Sequence, residues 1–274
     1  MGIKGLLPKL KEFCPQLHQQ VYLQNILKSG FPPFAAVDGN AWLYKIAAAN
    51  PYYVVVEENW SRVISIFLVK ARNLAKLLLE YRGKPTIYFD GAPAKHKALT
   101  TAKRESSKKK NRDKALEYLK EKGDSFTYND IQKGGDNTLK GFLANAIHIT
   151  PEVVHETILA LGRIGLQFVV GLKEADPIMA FDVRAFWKYR SNNSRLGYRK
   201  YPKNLRLVSF VITEDSDQIA YLTPFIFFKM GYKNKKSNIL YESTQGDWFA
   251  RVSDDKWLRG RPEISNNFNL KLKL

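Results

Sequence analysis

The chain has 274 residues, 45% hydrophobic and 13% aromatic, which is enough to bury a sizeable core and excludes wholesale disorder. Its formal charge of +18 and pI of about 9.8 attract a polyanion, nucleic acid ahead of an anionic membrane surface, and no apolar run approaches the ~18 residues of a spanning helix. A single cysteine, Cys14, excludes an internal disulfide and a cysteine-based zinc cluster, and the four histidines (His18, His96, His148, His155) lack metal-binding spacing. Leu6 stands where a myristoylation signal wants Ser or Thr, which argues against lipidation, and the lone cysteine suits a reduced, intracellular type of chain.

Residues 9–13 have a short helical pattern. Residues 34–37 form a small apolar strand ending at Asp38-Gly39, and residues 40–49 read as a helix carrying Trp42 and Tyr44. Over 59–81, Val63, Ile66, Phe67, Lys70, Leu74, Leu77 and Leu78 recur near 3.6 residues, predicting a long amphipathic helix that stops at Gly83 and Pro85. Residues 86–89 are a buried strand that delivers Asp90 at its carboxyl end, where open α/β sheets bind their ligands. After a Gly-Ala-Pro turn, residues 95–114 hold nine Lys or Arg against two acids and predict a basic helix. Lys97 and Arg104, seven residues apart, would share one face of it.

Residues 124–141 are polar and contain glycine, and read as a loop or helical hairpin. Thr150-Pro151-Glu152 combines a capping hydroxyl, proline at the first position and an acid at the positive end of the dipole, so a helix starts there, runs to about Ile164 and feeds the strand Gln167–Val170. Glu174-Ala-Asp176 opens a further helix to about Tyr189. Residues 184–206 then hold eight Lys or Arg and no acid, interleaved with Phe186, Trp187, Tyr189, Tyr198 and Tyr201. The strand 207–212 leads into Thr213-Glu-Asp-Ser-Asp217, and short strands at Phe225–Phe228 and 239–241 precede a polar tail to Leu274. The alternation predicts an α/β fold: a mostly parallel central sheet flanked by helices.

Four strands thus end in, or lead shortly into, acids: Asp38, Asp90, Glu174 with Asp176, and Asp215 with Asp217. Converging carboxylates repel one another unless cations sit between them, and an all-oxygen set suits a hard ion such as Mg²⁺. Two such ions, ~4 Å apart, serve in-line phosphodiester hydrolysis. The cations Lys97 and Arg104 beside Asp90 fit the same chemistry. No Ser/His/Asp or Cys/His arrangement suggests a covalent route.

These motifs together resemble the XPG/flap-endonuclease superfamily of structure-specific 5′-nucleases, most closely its exonuclease-one branch. The resemblance rests on Met1-Gly-Ile-Lys-Gly-Leu-Leu7, Ala36-Val-Asp38 with Trp42-Leu-Tyr44-Lys45, Phe89-Asp90-Gly91 with Lys97 and Arg104, Glu174-Ala-Asp176, and Ile212-Thr-Glu-Asp-Ser-Asp217. It spans residues 1 to about 220, and Glu-Ala-Asp rather than Glu-Ala-Glu favours the exonuclease branch. It implies a PIN/5′-nuclease-like fold with a helical arch, in a single domain: an N-terminal region 1–100, the arch at 95–145, an internal region 150–225 and a divergent tail 226–274. It implies two Mg²⁺ ions, with Mn²⁺ able to substitute, held by Asp38, Asp90, Glu174, Asp176, Asp215 and Asp217. Asp90 and Asp215 are expected to be catalytic, with Lys97 and Arg104 on the scissile phosphate. Gly2, Tyr44, Lys103 and Lys108 are expected to contact DNA near a 5′ end, nick, gap or flap. A nuclear location and a role in DNA repair or replication follow only from this resemblance.

Two departures stand out. A seventh acid in a Gly-Cys-Asp-Tyr segment and a helix–two-turn–helix element are not visible after Gln218; Asp247, Asp254 and Asp255 lack the flanking residues. Residues 184–206 exceed the family's usual connection by roughly twenty residues, and are expected to supply a nucleic-acid or protein contact. No paired-aromatic sliding-clamp peptide is present. The alternative is a catalytically weakened or inactive relative that serves as a DNA-binding or assembly subunit.

Overall fold

The computed structural model describes residues 9, 12, 19–20, 23–28, 30–92, 97–122, 137–192, 206–228, 233–235, 238–240 and 247–250. Gly2 and the rest of the amino-terminal motif, the segment 123–136, residues 193–205 and the tail beyond Ala250 lie outside the described residues, as does most of the helix expected at 9–13.

A seven-stranded sheet organises the chain. Its parallel part comprises β2 (Phe34–Asp38), β3 (Lys84–Phe89), β4 (Gln167–Val170), β5 (Phe210–Thr213) and β6 (Phe225–Phe228), lying in the order β4-β3-β2-β5-β6. Beyond β6 the sheet turns antiparallel, with β9 (Asp247–Ala250) and then β1 (Gln19–Gln20). A separate hairpin joins β7 (Lys233–Lys235) to β8 (Asn238–Leu240), where the sequence suggested a strand at 239–241.

Because successive side chains in a strand point to opposite faces, each apolar strand feeds two cores. Ala35, Val37, Ile87, Phe89, Phe210 and Ile212 pack on one face with Trp42 and Leu43 of α2 (Gly39–Ala49) and with Phe67, Leu74 and Leu78 of α4 (Ser61–Glu80). Ala36, Tyr88 and Val211 pack on the other with Met179 and Val183 of α8 (Asp176–Asn192). The period expected for α4 holds for Val63, Phe67, Lys70, Leu74, Leu77 and Leu78, but Ile66 is exposed and Ile64 is buried in its place. Two smaller helices, α1 (Leu23–Lys28) and α3 (Pro51–Val55), line this core.

The basic stretch forms α5 (Ala98–Lys122), longer than expected, whose only buried residue is Ala115. Such a polar helix needs a partner, and its main one is α6 (Asn137–Ala146), which buries Leu139 and Leu143. Residues 137–141, where a loop or a helical hairpin was expected, are helical. Helix α7 (Pro151–Arg163) starts as the sequence requires: Thr150 Oγ1 accepts from the Val153 amide at 3.5 Å. Among the described residues, no helix is long and apolar enough to cross a membrane.

Candidate active site

Parallel strands present their carboxyl ends on one edge of a sheet, and here that edge is acidic. Asp38 ends β2 and caps α2: Oδ1 accepts from the Ala41 amide at 2.8 Å, and Oδ2 from the Thr213 hydroxyl at 2.8 Å. Asp90 follows β3. Its Oδ2 accepts from the Asn40 side-chain amide at 2.6 Å and its Oδ1 from the Ala175 amide at 2.7 Å, which ties the start of α2, the end of β3 and the Glu174-Ala-Asp176 block together. That approach requires Gly91, because a Cβ there would lie 1.8 Å from the Gly171 carbonyl oxygen. Asp176 begins α8, and its Oδ1 accepts from the Gln218 amide at 2.8 Å. Asp215 Oδ1 accepts from the Asp217 amide at 3.1 Å, while the Asp215 amide donates to the Thr213 hydroxyl at 3.0 Å. Asp217 stands at the start of the one-turn helix α9 (Asp217–Ala220).

The acids feel one another. Burial, then the charge of Asp176 and more weakly that of Asp90, push Asp38 up to about 8, against its hydrogen bonds to Ala41 and Thr213. Burial raises Asp176 to about 6, opposed by Gln218 and assisted by Asp90, Asp215 and Asp217. Asp215 is raised too, chiefly by burial. Glu174 is compensated instead by Lys97, whose ammonium it holds and whose charged form it stabilises.

Among the described residues, no three acids or histidines are gathered closely enough to hold an ion. The donor set nevertheless fits a hard divalent cation. It is all carboxylate, burial raises Asp38, Asp176 and Asp215 while they are uncompensated, and Asp217 Oδ1 is buried with no protein partner.

A cleft of about 880 Å³ opens beside Asp90. Asn40 and Tyr44 of α2, Arg104 and Lys108 of α5, and Thr150, Val154, His155 and Ile158 at the start of α7 line it. The Tyr44 hydroxyl donates to the Ala144 carbonyl at 3.4 Å, so the tyrosine bridges α2 and α6. Partial burial lowers the Lys108 ammonium, with Glu105 opposing.

The cleft therefore places Tyr44, Arg104 and Lys108, three of the residues expected to contact DNA, beside Asp90. It does not include Lys97 or Lys103. Lys97 stands one residue before α5 begins and turns to Glu174, whereas Lys103 is exposed on α5. Of the pair expected to share a helix face, Lys97 thus pairs with Glu174 while Arg104 lines the cleft. Sequence reading missed Asn40, Thr213, Gln218 and His155; the first three lie within two residues of an acid, and adjacency was the one signal that could have found them.

Residues 1–111 match the XPG N-terminal domain family. Exodeoxyribonuclease 1 of Schizosaccharomyces pombe is 27% identical over 236 residues, which is 85% of this chain and 34% of that protein. Exonuclease 1 of Arabidopsis thaliana is 30% identical over 231 residues, 84% of this chain and 25% of that protein. The chain thus spans about a quarter to a third of the length of these curated relatives. Among solved structures, the catalytic core of Rad2 in complex with DNA substrate aligns over 92% of this chain and 55% of that one, at 16% identity and a TM-score of 0.44. Flap endonuclease-1 from Methanococcus jannaschii aligns over 92% and 64%, at 16% identity and a TM-score of 0.43.

Proposed function

Because the chain belongs to the XPG/flap-endonuclease superfamily, on its exonuclease-1-like branch, we propose that it is a divalent-metal-dependent 5′-nuclease. Its substrates on this reading are phosphodiester bonds near the 5′ ends of nicked, gapped or flapped DNA, met during repair or replication in the nucleus. The observation that carries the reading is the meeting, at Asp90, of a mutually coupled acidic edge with a cationic and aromatic cleft.

Asp38, Asp90, Glu174, Asp176, Asp215 and Asp217 would hold two Mg²⁺ ions, for which Mn²⁺ can substitute. When bound, such ions supply an acidified water and a charge sink for the leaving oxygen. The chain's other residues position and bind. Asn40 and the Ala175 amide fix both oxygens of Asp90, and Thr213 fixes Asp38. Arg104 offers a planar fork and Lys108 a point charge to backbone phosphate, and both can meet negative charge that grows on it. Lys97 exchanges Glu174 for the scissile phosphate. Tyr44 gives an unpaired base a ring to stack on without sequence preference. Lys103 contributes to the field that draws DNA to α5, and Gly2 contributes near the terminal nucleotide.

One observation favours a second reading, a relative that binds DNA without cutting: Glu174 is already neutralised by Lys97 rather than grouped with the other acids. Cleavage of 5′-end-labelled nicked and flapped duplexes by excess protein, with Mg²⁺, Mn²⁺ or EDTA, separates the two. The nuclease cuts only with metal, and Asp90→Asn with Asp215→Asn abolishes cutting while DNA is still bound. Binding with no product in any metal overturns the enzyme and leaves the DNA-binding subunit.

A further inference from the structure

We propose that Gln218 is a positioning residue for Asp176, holding one carboxylate oxygen so that the other is presented to a divalent cation. The inference rests on the assignment of Asp176 as a metal ligand.

The side chain of Gln218 is fully buried in the short helix α9. Its Nε2 donates twice into the same residue, to Asp176 Oδ1 at 2.8 Å and to the Asp176 main-chain oxygen at 3.1 Å. Its Oε1 accepts from the Thr223 hydroxyl at 2.6 Å. Both hydrogens of the amide are thereby used, and its orientation follows from its neighbours: a carboxylate and a carbonyl can only accept, so nitrogen faces Asp176 and oxygen faces the hydroxyl.

The backbone is bent to make this possible. Leu222 adopts φ 57°, a left-handed conformation that leucine rarely takes, while its own side chain is half exposed. That turn returns the chain so that the Thr223 amide reaches the Gln218 carbonyl at 3.1 Å and Thr223 itself is buried beneath the glutamine. A guanidinium from α8, that of Arg184, binds the Tyr221 carbonyl and closes the turn against the helix that Asp176 begins.

The chemistry requires a neutral donor. A carboxylate surrounded by Asp90, Asp215 and Asp217 is repelled from all of them. An amide holds it at that seat without adding a charge that would compete for the ion. Leucine at 218 would take from Asp176 Oδ1 the side-chain donor that holds it, and glutamate would add another like charge.

Tb³⁺, a hard cation whose luminescence is sensitised by protein aromatics, reads the site without DNA cleavage; Mg²⁺ competition confirms that both ions share it. With folding checked by circular dichroism and melting, Gln218→Leu is expected to weaken Tb³⁺ binding by about 10–100-fold, the usual effect of losing a residue that orients a ligand. Thr223→Val should act in the same direction, more weakly. In an Asp176→Ala background neither substitution should add a further loss, because the carboxylate they act through is gone. Unchanged Tb³⁺ binding in Gln218→Leu, or an equal loss with and without Asp176, overturns the proposal. If Gln218→Leu does not fold, Thr223→Val in the two backgrounds decides by the same criteria. A wild-type chain that binds Tb³⁺ yet cuts no DNA would refute the nuclease reading while leaving this ranking of variants intact.

Discussion

Asp38 sits at the point where three demands meet: it ends a strand, caps a helix and belongs to the acidic edge. Its folded carboxyl is raised to about 8 against 3.8 in the unfolded chain, so the native state holds the extra proton across that window. Stability must therefore fall as pH rises from about 4 to about 8 when no metal is present. In EDTA, Asp38→Asn is expected to flatten this slope, measured by urea melts at successive pH values; adding Mg²⁺ to the wild type at pH 8 should recover the lost stability. A slope unchanged by Asp38→Asn would place the effect on other groups.

Lys70 titrates with the opposite sign. Burial, then repulsion from Lys45, lowers it to about 7 from 10.5, against the pull of Glu214, and its ammonium lies 3.9 Å from the Trp42 ring centroid. The cost of charging it is full below pH 7 and is relieved as pH rises from about 7 to 10.5. Lys70→Met should raise stability at pH 6 by a few kcal/mol, on the order of 1–4, and remove the rise between pH 7 and 10. A variant less stable at pH 6 would show that the stacked ammonium is net favourable. At this scale the acids were legible, since aspartate directly after an apolar run has few other uses. Asn40, Thr213 and Gln218 were not, because a neutral hydrogen-bonding side chain looks alike whether it orients a carboxylate or faces water.

Among the elements, the closest approach at the site is the crossing of the loops after β3 and β4. Gly91 passes the Gly171 carbonyl there, and the Gly171 amide in turn donates to the Phe89 carbonyl at 2.9 Å. Gly91→Ala must push the two loops apart. It is expected to cost about 1–3 kcal/mol in a denaturant melt and to weaken ion binding beyond that loss, since Asp90 takes a hydrogen bond from Ala175 across the same gap. Wild-type stability in that variant would mean the loops adjust freely. The parallel strands were readable as apolar runs separated by helices. The pairing of Gln19 with Trp248 was not, because a two-residue strand joined to one more than two hundred residues away has no local pattern. Arg206 shows the same limit from another side: it pairs at 3.0 Å with the buried Asp182, which also accepts from the Tyr88 hydroxyl at 2.8 Å, and so anchors the chain where the basic insertion returns. Nothing in that run of cations marked one of them as structural.

Across the whole molecule, a chain of charge +18 that binds DNA as proposed should do so with an affinity that depends on salt. Neutralising Lys103, Lys108, Lys109 and Lys110 together should lower the slope of log affinity against log salt on a 5′-overhang duplex by about 0.7–0.9 for each phosphate that the protein then leaves unneutralised. The same titration with Arg195 and Arg199 replaced tests the insertion. An unchanged slope in either set would mark those cations as a solvated surface. What the sequence by itself determined was the class of fold, the identity of the acids and the sign of the surface, because apolar period, residue type and net charge are properties of the chain. The tertiary structure decided which of these groups meet: Arg104 and Lys108 at the cleft with Asp90 and Tyr44, Lys97 apart with Glu174, and Gln218 beneath Asp176. Those pairings depend on loop crossings, on a left-handed turn at Leu222 and on the depth of burial, which act between residues far apart in the chain and leave no period in it.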